Sequence, residues 1–305
     1  TAAIHIASNV AGALNPFDLN LTGTGLLDTS PGSVDSLNAL VAGSSDGMYA
    51  TPVQPDGKIL LMGGFTSVLG VPRNEIARLN ADGTLDTGFD PNPNSFAFCM
   101  AVQADGKILL SGWFSALRPN GATALTSRNH LARLNAGGTL DAAFNPNPND
   151  SVLGMAMQPD GKILLAGAFS YVLGVPRNCL ARLNADGTLD TGFNPNVDRP
   201  VYSVALQADG KILVGGWFSA LRPNGAVTAT TRNNIARLNA NGSLDTGFNP
   251  NVYGGSVNCL AVQADGKIVL GGRFSTLQPN GAVTASTRTN IARLNIDGSL
   301  DTTFN

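Results

Sequence analysis

Short runs of alternating apolar and polar residues, bounded by turn residues, fill most of the chain. One stretch contains four such runs, at Phe98–Gln103, Lys107–Phe114, His130–Asn135 and Thr139–Phe144. A period of two residues over four to eight positions, bounded by Gly, Asp and Asn, is typical of β-strands. The pattern therefore predicts an all-β chain of short antiparallel strands.

The same pattern recurs along the chain. The triplet Asp-Gly-Lys begins at Asp56, Asp105, Asp160, Asp209 and Asp265, with spacings of 49, 55, 49 and 56 residues. Four-stranded antiparallel units with a period of about 50 residues are typical of β-propeller blades. We therefore predict one β-propeller domain over residues 1–305 and number its repeats 1 to 5, at about 47–95, 96–150, 151–199, 200–253 and 254–305.

The N-terminal residues 1–46 differ from the five repeats. LTGTGLLDTSPGS at 21–33 resembles the last hairpin of a repeat, and TAAIHIAS at 1–8 alternates like a strand. These features predict a degenerate partial blade and favour a six-bladed ring. Two alternatives stay open: five blades with an N-terminal extension, or an open edge filled by a neighbouring subunit. A start at Thr1 fits either a processed chain or a fragment.

A short Asp-Gly turn sets the register of the last hairpin in each repeat. In repeat 1 the turn Ala81–Gly83 would pair Leu79 with Leu85 and Arg78 with Asp86. Apolar then faces apolar and cation faces anion, which predicts a structural Arg–Asp pair that fixes register and links blades. The predicted pairs are Arg78–Asp86, Arg133–Asp141, Arg182–Asp190, Arg237–Asp245 and Arg293–Asp301.

The same hairpin also resembles a calcium loop, because Asn80, Asp82 and Asp86 fall where such loops place oxygen ligands. The position expected for the first ligand holds Arg78, and a guanidinium cannot ligate a cation. The residue at the Asp82 position also changes among copies. The sequence thus favours the structural pair and keeps calcium as a weak alternative.

The composition of the chain excludes several classes of function. Charged residues are 13% of the chain, against about 25% in ordinary domains. A net charge of −2 does not suggest a nucleic-acid partner, and no apolar run is long enough to span a membrane. The two histidines, His5 and His130, do not supply a catalytic triad or a multi-histidine metal site. We expect a protein that is not an enzyme and has no cofactor.

Three cysteines, Cys99, Cys179 and Cys259, are an odd number for a disulfide framework. Cys99 and Cys259 occupy the same position of different repeats, which should lie far apart. We expect all three to be small buried hydrophobic residues.

The loop after the second strand is about six residues longer in repeats 2, 4 and 5 than in repeats 1 and 3. A Phe stands at the start of this loop, and the residue before that Phe is large in the repeats with long loops: Trp113, Trp217 or Arg273. We favour the interpretation that this large side chain packs under its own loop over a role in stacking on a sugar. Long loops on one face still make that face the predicted binding surface. Its candidate residues are Trp113, Arg118, Asn120, Trp217, Arg222, Asn224, Arg273 and Asn280.

The units QADGKILxGGF and RNxIARLNxDG[TS]LDTxF, in that order, resemble the delta-60 repeat family over about 47–305. Kelch blades are more loosely similar, since they share D-G-K-I followed by Gly-Gly. The resemblance implies a propeller at the cell surface or outside the cell. We expect a structural or adhesive protein whose partner is itself or another surface protein. The alternative is a carbohydrate- or protein-binding module that binds a glycan or a protein with its long-loop face.

Overall fold

A computed structural model gives the structure of this chain and describes residues 41–42 and 48–304. These residues fall into two compact units, divided between Phe144 and Asn145. The first unit holds repeats 1 and 2, and the second holds repeats 3 to 5. The predicted single domain and six-bladed ring stay predictions, because all but two residues of the proposed partial blade at 1–46 lie outside the described residues.

Each repeat forms a three-stranded antiparallel sheet whose strands are ordered as in the chain. The first strands are Met48–Ala50, Ala97–Val102, Val152–Met157, Val201–Leu206 and Ser256–Val262. The second strands are Ile59–Gly63, Ile108–Gly112, Ile163–Gly167, Ile212–Gly216 and Ile268–Arg273. The third strands are Ile76–Leu79, Leu131–Leu134, Leu180–Leu183, Ile235–Leu238 and Ile291–Leu294.

The loops carry only two-residue strands and single turns of 3-10 helix. Val41–Ala42 precedes repeat 1 and pairs with its loop strand Ser67–Val68. The other loop strands of repeats 1 to 3 are Val71–Pro72, Ala116–Leu117, Thr126–Ser127, Tyr171–Val172 and Val175–Pro176. In repeats 4 and 5 they are Ala220–Leu221, Thr230–Thr231, Val252–Tyr253, Thr276–Leu277 and Ser286–Thr287. The 3-10 turns are Pro119–Gly121, Pro223–Gly225 and Pro279–Gly281. No α-helix occurs in the described part of the chain, which confirms the all-β prediction.

The predicted register of the last hairpin is confirmed, because Leu79 bridges Leu85 across the second turn of repeat 1. Across the first turn of repeat 2, Val102 pairs with Ile108. The predicted fourth strand is wrong, because this segment contributes a single bridge to the sheet in every repeat. In repeat 2 the Asp141 carboxylate accepts the N–H of Ala143 at 3.2 Å, and this local turn bends the chain away from the sheet.

Each first strand has a β-bulge near its start, which the sequence did not reveal. In repeat 2 the register shifts between Ala97 and Cys99, so that Phe98 is the extra residue. The other four first strands shift at the equivalent position. A bulge bends the strand and re-aims the side chain that it carries.

Within each unit the core lies between successive sheets, and all five residues of Ile163–Gly167 and of Ile212–Gly216 are buried. In the second unit the first strands of successive repeats pack side by side. The N–H of Leu260 in repeat 5, for example, donates to Ser203 Oγ in repeat 4 at 3.2 Å. Because antiparallel strands alternate in direction, both Asp-Gly turns of a repeat lie at one end of its sheet, the turn end. The loop after the second strand and the linker before the first strand lie at the opposite end, the loop end.

Candidate functional site

At the turn end, one aspartate in each repeat forms ion pairs with a lysine and an arginine side chain. In repeat 1, Asp86 Oδ2 accepts hydrogen bonds from Lys58 Nζ at 2.8 Å and Arg78 Nε at 3.0 Å. All five predicted Arg–Asp pairs form in this way. The lysine joins each pair, a contact that the sequence analysis missed. The signal was present, since every lysine of the chain stands in an Asp-Gly-Lys triplet.

These carboxylates are ionised at neutral pH. Partial burial would raise the pKa of Asp86, but hydrogen bonds from Lys58 and the charge of Arg78 outweigh it and hold the pKa below its ordinary value. The pKa of Asp141, Asp190 and Asp245 is lowered in the same way by the equivalent cations. Such groups anchor the hairpin and are poorly suited to donate protons at neutral pH.

The expectation that the ion pair itself links blades is wrong, because Arg78 and Asp86 belong to one hairpin. A different nitrogen makes the link, since Arg78 Nη1 donates to the carbonyl of Ala136 in repeat 2. The guanidinium also lies 4.2 Å from the ring centroid of Phe89. A Cβ on Gly138 of repeat 2 would lie 2.7 Å from that ring, so the contact requires glycine.

We call this Arg–Phe pair the plug, and the carbonyl and glycine of the next repeat the socket. Between repeats 3 and 4, Arg182 Nη1 donates to the carbonyl of Ala240 at 2.5 Å, and Phe193 packs against Gly242. The equivalent residues between repeats 4 and 5 are Arg237, Phe248, Ile296 and Gly298. A cation above an aromatic ring adds about 1 kcal/mol to such a contact.

Repeat 5 presents its plug without a described socket. The Arg293 side chain is 21% exposed, against 9% for Arg237 in repeat 4. Ile291 is 50% exposed, whereas Ile235 at the same position of repeat 4 is fully buried. We call this surface the open face; its residues are Cys259, Ala261, Ile291, Arg293 and Phe304.

The residues of the weak calcium alternative make the hydrogen bonds of a turn. Asp82 Oδ1 accepts the N–H and the hydroxyl of Thr84, at 3.0 and 2.7 Å, and Asn80 Nδ2 donates to the same hydroxyl at 3.0 Å. Asp86 is the ion-paired carboxylate described above. The described residues contain no group of three or more His, Cys, Asp or Glu that could hold a metal ion. The hairpin alone thus explains this arrangement.

An aromatic cluster lies at the loop end of repeat 2. The Trp113 ring is in edge contact with Phe98, with centroids 4.8 Å apart, and with Phe96 at 6.1 Å. Trp113 is 56% exposed. The interpretation that the long loop covers this tryptophan is therefore wrong, because its ring contacts residues at the start of its own first strand. The bulge that places Phe98 beside it could not be read from the sequence.

The equivalent tryptophan of repeat 4 has a cationic neighbour. Trp217 is 51% exposed, and the Arg199 guanidinium lies 5.1 Å from its ring centroid. Arg222 of the long loop is exposed, as is Arg273, which replaces the tryptophan in repeat 5. In repeat 2, Arg118 is exposed at the loop end as well.

The three asparagines of the predicted binding surface have a structural role. Asn120 Oδ1 accepts the N–H of Asp90 at 2.9 Å, and Asn120 itself has a left-handed φ of 52°. This bond ties the long loop to the linker from the preceding repeat. The equivalent bonds are Asn224 to Asn194 and Asn280 to Asn249. A role of these asparagines in binding stays a prediction.

A second arginine of each repeat was missed by the sequence analysis. Arg177 is buried and donates to the carbonyls of Pro176 at 2.8 Å and Thr191 at 3.2 Å. Burial lowers the pKa of Arg177 from its usual value, and the charge of Asp190 acts in the opposite direction. The five equivalents are Arg73, Arg128, Arg177, Arg232 and Arg288. The Arg-Asn dipeptide of repeats 1 to 4 was the available signal.

None of the three cysteines forms a disulfide, and they differ in burial. Cys179 is buried as predicted, whereas Cys99 is half-buried and Cys259 is exposed, so the prediction is wrong for these two. Burial, together with the charges of Asp198 and Asp150, raises the pKa of Cys179 to about 12. Cys259 is exposed because it lies on the open face.

Among the described residues, no helix is long and apolar enough to cross a membrane. Comparison with known proteins found solved structures of low sequence identity. The chain is 12% identical to U3-55K, with a TM-score of 0.49, over 81% of this chain and 66% of that one, so it spans just under two thirds of that protein. It is 14% identical to a catalytically inactive virginiamycin B lyase from Staphylococcus aureus, with a TM-score of 0.48, over 86% and 85%. A protein of unknown function from Bacteroides caccae is 13% identical, with a TM-score of 0.38, over 85% and 81%.

These likenesses carry no argument about activity, and no curated protein matches the chain. One family model does match, that of the domain of unknown function (DUF5122) beta-propeller. The matched residues are 54–89, 103–144, 158–193, 207–248 and 263–304. The matches fall one in each repeat and together cover more than half of the sequence, so the chain belongs to the DUF5122 β-propeller family.

Proposed function

We propose that this chain is a non-catalytic structural or adhesive protein that works at the cell surface or outside the cell and assembles with itself. The open face of repeat 5 carries this proposal. It exposes Ile291 and half-exposes Phe304, whereas Ile235 and Phe248 at the same positions of repeat 4 are fully buried. An apolar sheet face of this kind favours association. The proposed location rests on the resemblance to delta-60 repeats.

Catalysis is left out of the proposal because the charged groups of the turn end already have partners. Each Asp-Gly-Lys lysine binds the paired aspartate of its own repeat. A general acid or base needs a pKa near the working pH, whereas these carboxylates are held in the charged form.

Self-assembly is tested by measuring molar mass against protein concentration, by light scattering after gel filtration, with negative-stain images of the same samples. We expect mass to rise with concentration and the rise to be suppressed in Ile291→Lys, which places a charge on the open face. Val283→Lys is the matched control, because Val283 is 96% exposed on the long loop of the same repeat. A mass that stays monomeric throughout, or equal suppression by both variants, would contradict the proposal.

A carbohydrate- or protein-binding role at the loop end is the second candidate. The exposed aromatic cluster of Trp113, Phe98 and Phe96 favours it, because aromatic faces stack on sugar rings and anchor protein partners. Isothermal titration with neutral and acidic oligosaccharides tests the carbohydrate form. We expect measurable binding that weakens in Trp113→Ala or Trp217→Ala. The absence of binding, or binding that neither variant changes, would exclude it.

A further inference from the structure

Charge is unevenly distributed between the two ends of the sheets in repeats 3 to 5. At the turn end, eight aspartates stand against three lysines and three arginines. At the loop end, six arginines stand against Asp198 and against Asp150, which lies in the linker just before repeat 3. Those arginines are Arg177, Arg199, Arg222, Arg232, Arg273 and Arg288. Arg177 and Arg232 are buried and interact with the charges of Asp190 and Asp245, so the exposed positive charge of the loop end rests on Arg199, Arg222 and Arg273.

The cations at the two ends also differ in how they are neutralised. Within repeats 3 to 5 every turn-end lysine, and each arginine of the Arg–Asp pairs, has a carboxylate partner within 3 Å. Arg199, Arg222 and Arg273 at the loop end are exposed and have no ion-pair partner among the described residues. Their charges are thus available to a ligand.

The two loop-end aspartates bind nearby backbone and hydroxyl groups rather than the exposed arginines. Asp198 Oδ1 accepts the N–H groups of Ser219 and Ala220, at 3.0 and 3.1 Å, and its Oδ2 accepts the Ser219 hydroxyl at 2.5 Å. Asp150 Oδ1 accepts the N–H and the hydroxyl of Ser151, at 2.6 and 3.0 Å. Asp150 binds its chain neighbour, Asp198 holds the start of the long loop, and neither forms an ion pair with the three exposed arginines.

An aromatic ring stands beside one of these arginines. Trp217 is 51% exposed, and the Arg199 guanidinium lies 5.1 Å from its ring centroid. A ring next to a cation can stack on the apolar face of a sugar while the cation binds a carboxylate or sulfate substituent. The long loop of repeat 4 carries exposed uncharged residues, including Val227 and Thr228.

We infer that the loop end of repeats 3 to 5 binds an acidic polysaccharide, with Trp217 stacking on a sugar ring and Arg199, Arg222 and Arg273 binding its anionic groups. The ligand must combine negative charge with flat apolar faces, which a uronate-containing or sulfated glycan does. Duplex DNA fits less well, because it carries one charge per about 1.7 Å and needs a dense basic surface. This inference rests on the second proposed function and names its ligand class.

The test measures binding of polygalacturonate oligomers by isothermal titration, at low and at physiological salt, with neutral dextran oligomers as the matched ligand. We expect binding of the acidic oligomer only, and weaker binding at higher salt. Replacing all three arginines by glutamine should raise the Kd about tenfold or more, and Trp217→Ala should raise it about tenfold. Thermal unfolding of each variant confirms that the exposed substitutions leave the fold intact.

Two single-charge variants of repeat 4 separate a local effect from one of net charge. Thr228→Glu adds a negative charge to the exposed long loop, and Ala208→Glu adds the same charge at the exposed turn end. We expect only the first variant to weaken binding. Equal weakening by both variants, or a Kd that the triple arginine variant leaves unchanged, would overturn the inference.

The neutral ligand distinguishes the two levels of the proposal. Equal binding of dextran and polygalacturonate would overturn the acidic specificity while leaving a glycan-binding role in place. The absence of binding to either ligand would remove both. Sulfated dextran as a third ligand distinguishes carboxylate from sulfate recognition, and single-stranded DNA that binds more tightly than both acidic glycans would replace the ligand class.

Discussion

Replacing Asp190 by alanine is the sharpest test of how the hairpins are held. Asp190 Oδ2 accepts hydrogen bonds from Arg182 Nε and Lys162 Nζ, both at 2.9 Å, and Oδ1 accepts the N–H of Gly192 at 3.1 Å. The variant leaves the Arg182 side chain, which is only 9% exposed, without a counter-ion. It also removes the turn that ends the hairpin.

The cost can be estimated from these contacts. Removing one partner of a buried ion pair costs about 3–5 kcal/mol of the free energy of unfolding. Asp190 is 14% exposed, and Lys162 stays nearby and repels Arg182, so we take the low end, about 3 kcal/mol. At about 2–4 °C per kcal/mol, Tm should fall by roughly 6–12 °C, measured by calorimetry or circular dichroism.

Asp186→Asn is the matched control in the same hairpin. Asp186 Oδ1 accepts the N–H of Thr188 at 2.9 Å, and in repeat 4 Asn241 already makes this bond to Ser243 at 3.0 Å. We therefore expect a change below about 0.5 kcal/mol. A calcium site would give a different result, because both substitutions would remove a ligand and chelation by EDTA would lower Tm. Equal losses in the two variants, with an EDTA-induced drop of several degrees, would refute the structural interpretation.

Three further outcomes follow from the same contacts. Folding lowers the pKa of four paired aspartates below 3.8. The midpoint of urea unfolding should therefore be level above about pH 5 and fall as the pH drops through 3.8, because the unfolded chain then binds protons that the folded chain does not. A midpoint that rises toward pH 3 would contradict this. Iodoacetamide at pH 8, read by mass spectrometry, should label Cys259 first and Cys179 last, because Cys179 is buried and its pKa is about 12, and the reverse order would contradict the burial pattern. Gly242→Ala should destabilise the chain by about 2–3 kcal/mol, because the new Cβ would lie 2.8 Å from the Phe193 ring. Gly225 has a similar φ and nothing within 4 Å of the Cβ that alanine would add, so Gly225→Ala should cost about 1 kcal/mol. Equal costs would show that the contact with the plug is not the cause.

Features that depend on nearby residues were predictable from the sequence. The pairing of Leu79 with Leu85 and of Arg78 with Asp86 follows from one short turn, because the turn type fixes the register of the residues on either side. Strand positions followed from the period of the apolar residues. The fourth strand was overpredicted, because a local hydrogen bond from the Ala143 N–H to the Asp141 carboxylate competes with sheet pairing and apolar alternation does not report it.

Features that depend on distant residues were not predictable in detail. Lys58 lies 28 residues from Asp86, and Ala136 lies 58 residues from Arg78, so no local pattern joins either pair. Lysine occurs at the position of Lys58 in all five repeats, which could have indicated a structural role for it but not its partner. The exposure of Cys259 depends on whether another sheet covers that face, which the residues around it do not encode.

The two ends of the repeats perform separable tasks. At the turn end the same lysine, arginine, aspartate and phenylalanine recur in every repeat. The ion pairs hold each hairpin, and within each unit the arginine and phenylalanine contact the next repeat. At the loop end, the bulge residue and the residue that follows the second strand's glycine vary: Phe98 with Trp113 in repeat 2, and Asn258 with Arg273 in repeat 5. Because Trp113, Asn258 and Arg273 are exposed and Phe98 is only half-buried, these positions can change at little cost to packing. A ligand surface could therefore be set one repeat at a time, and the binding chemistry should be sought in the positions where the repeats differ.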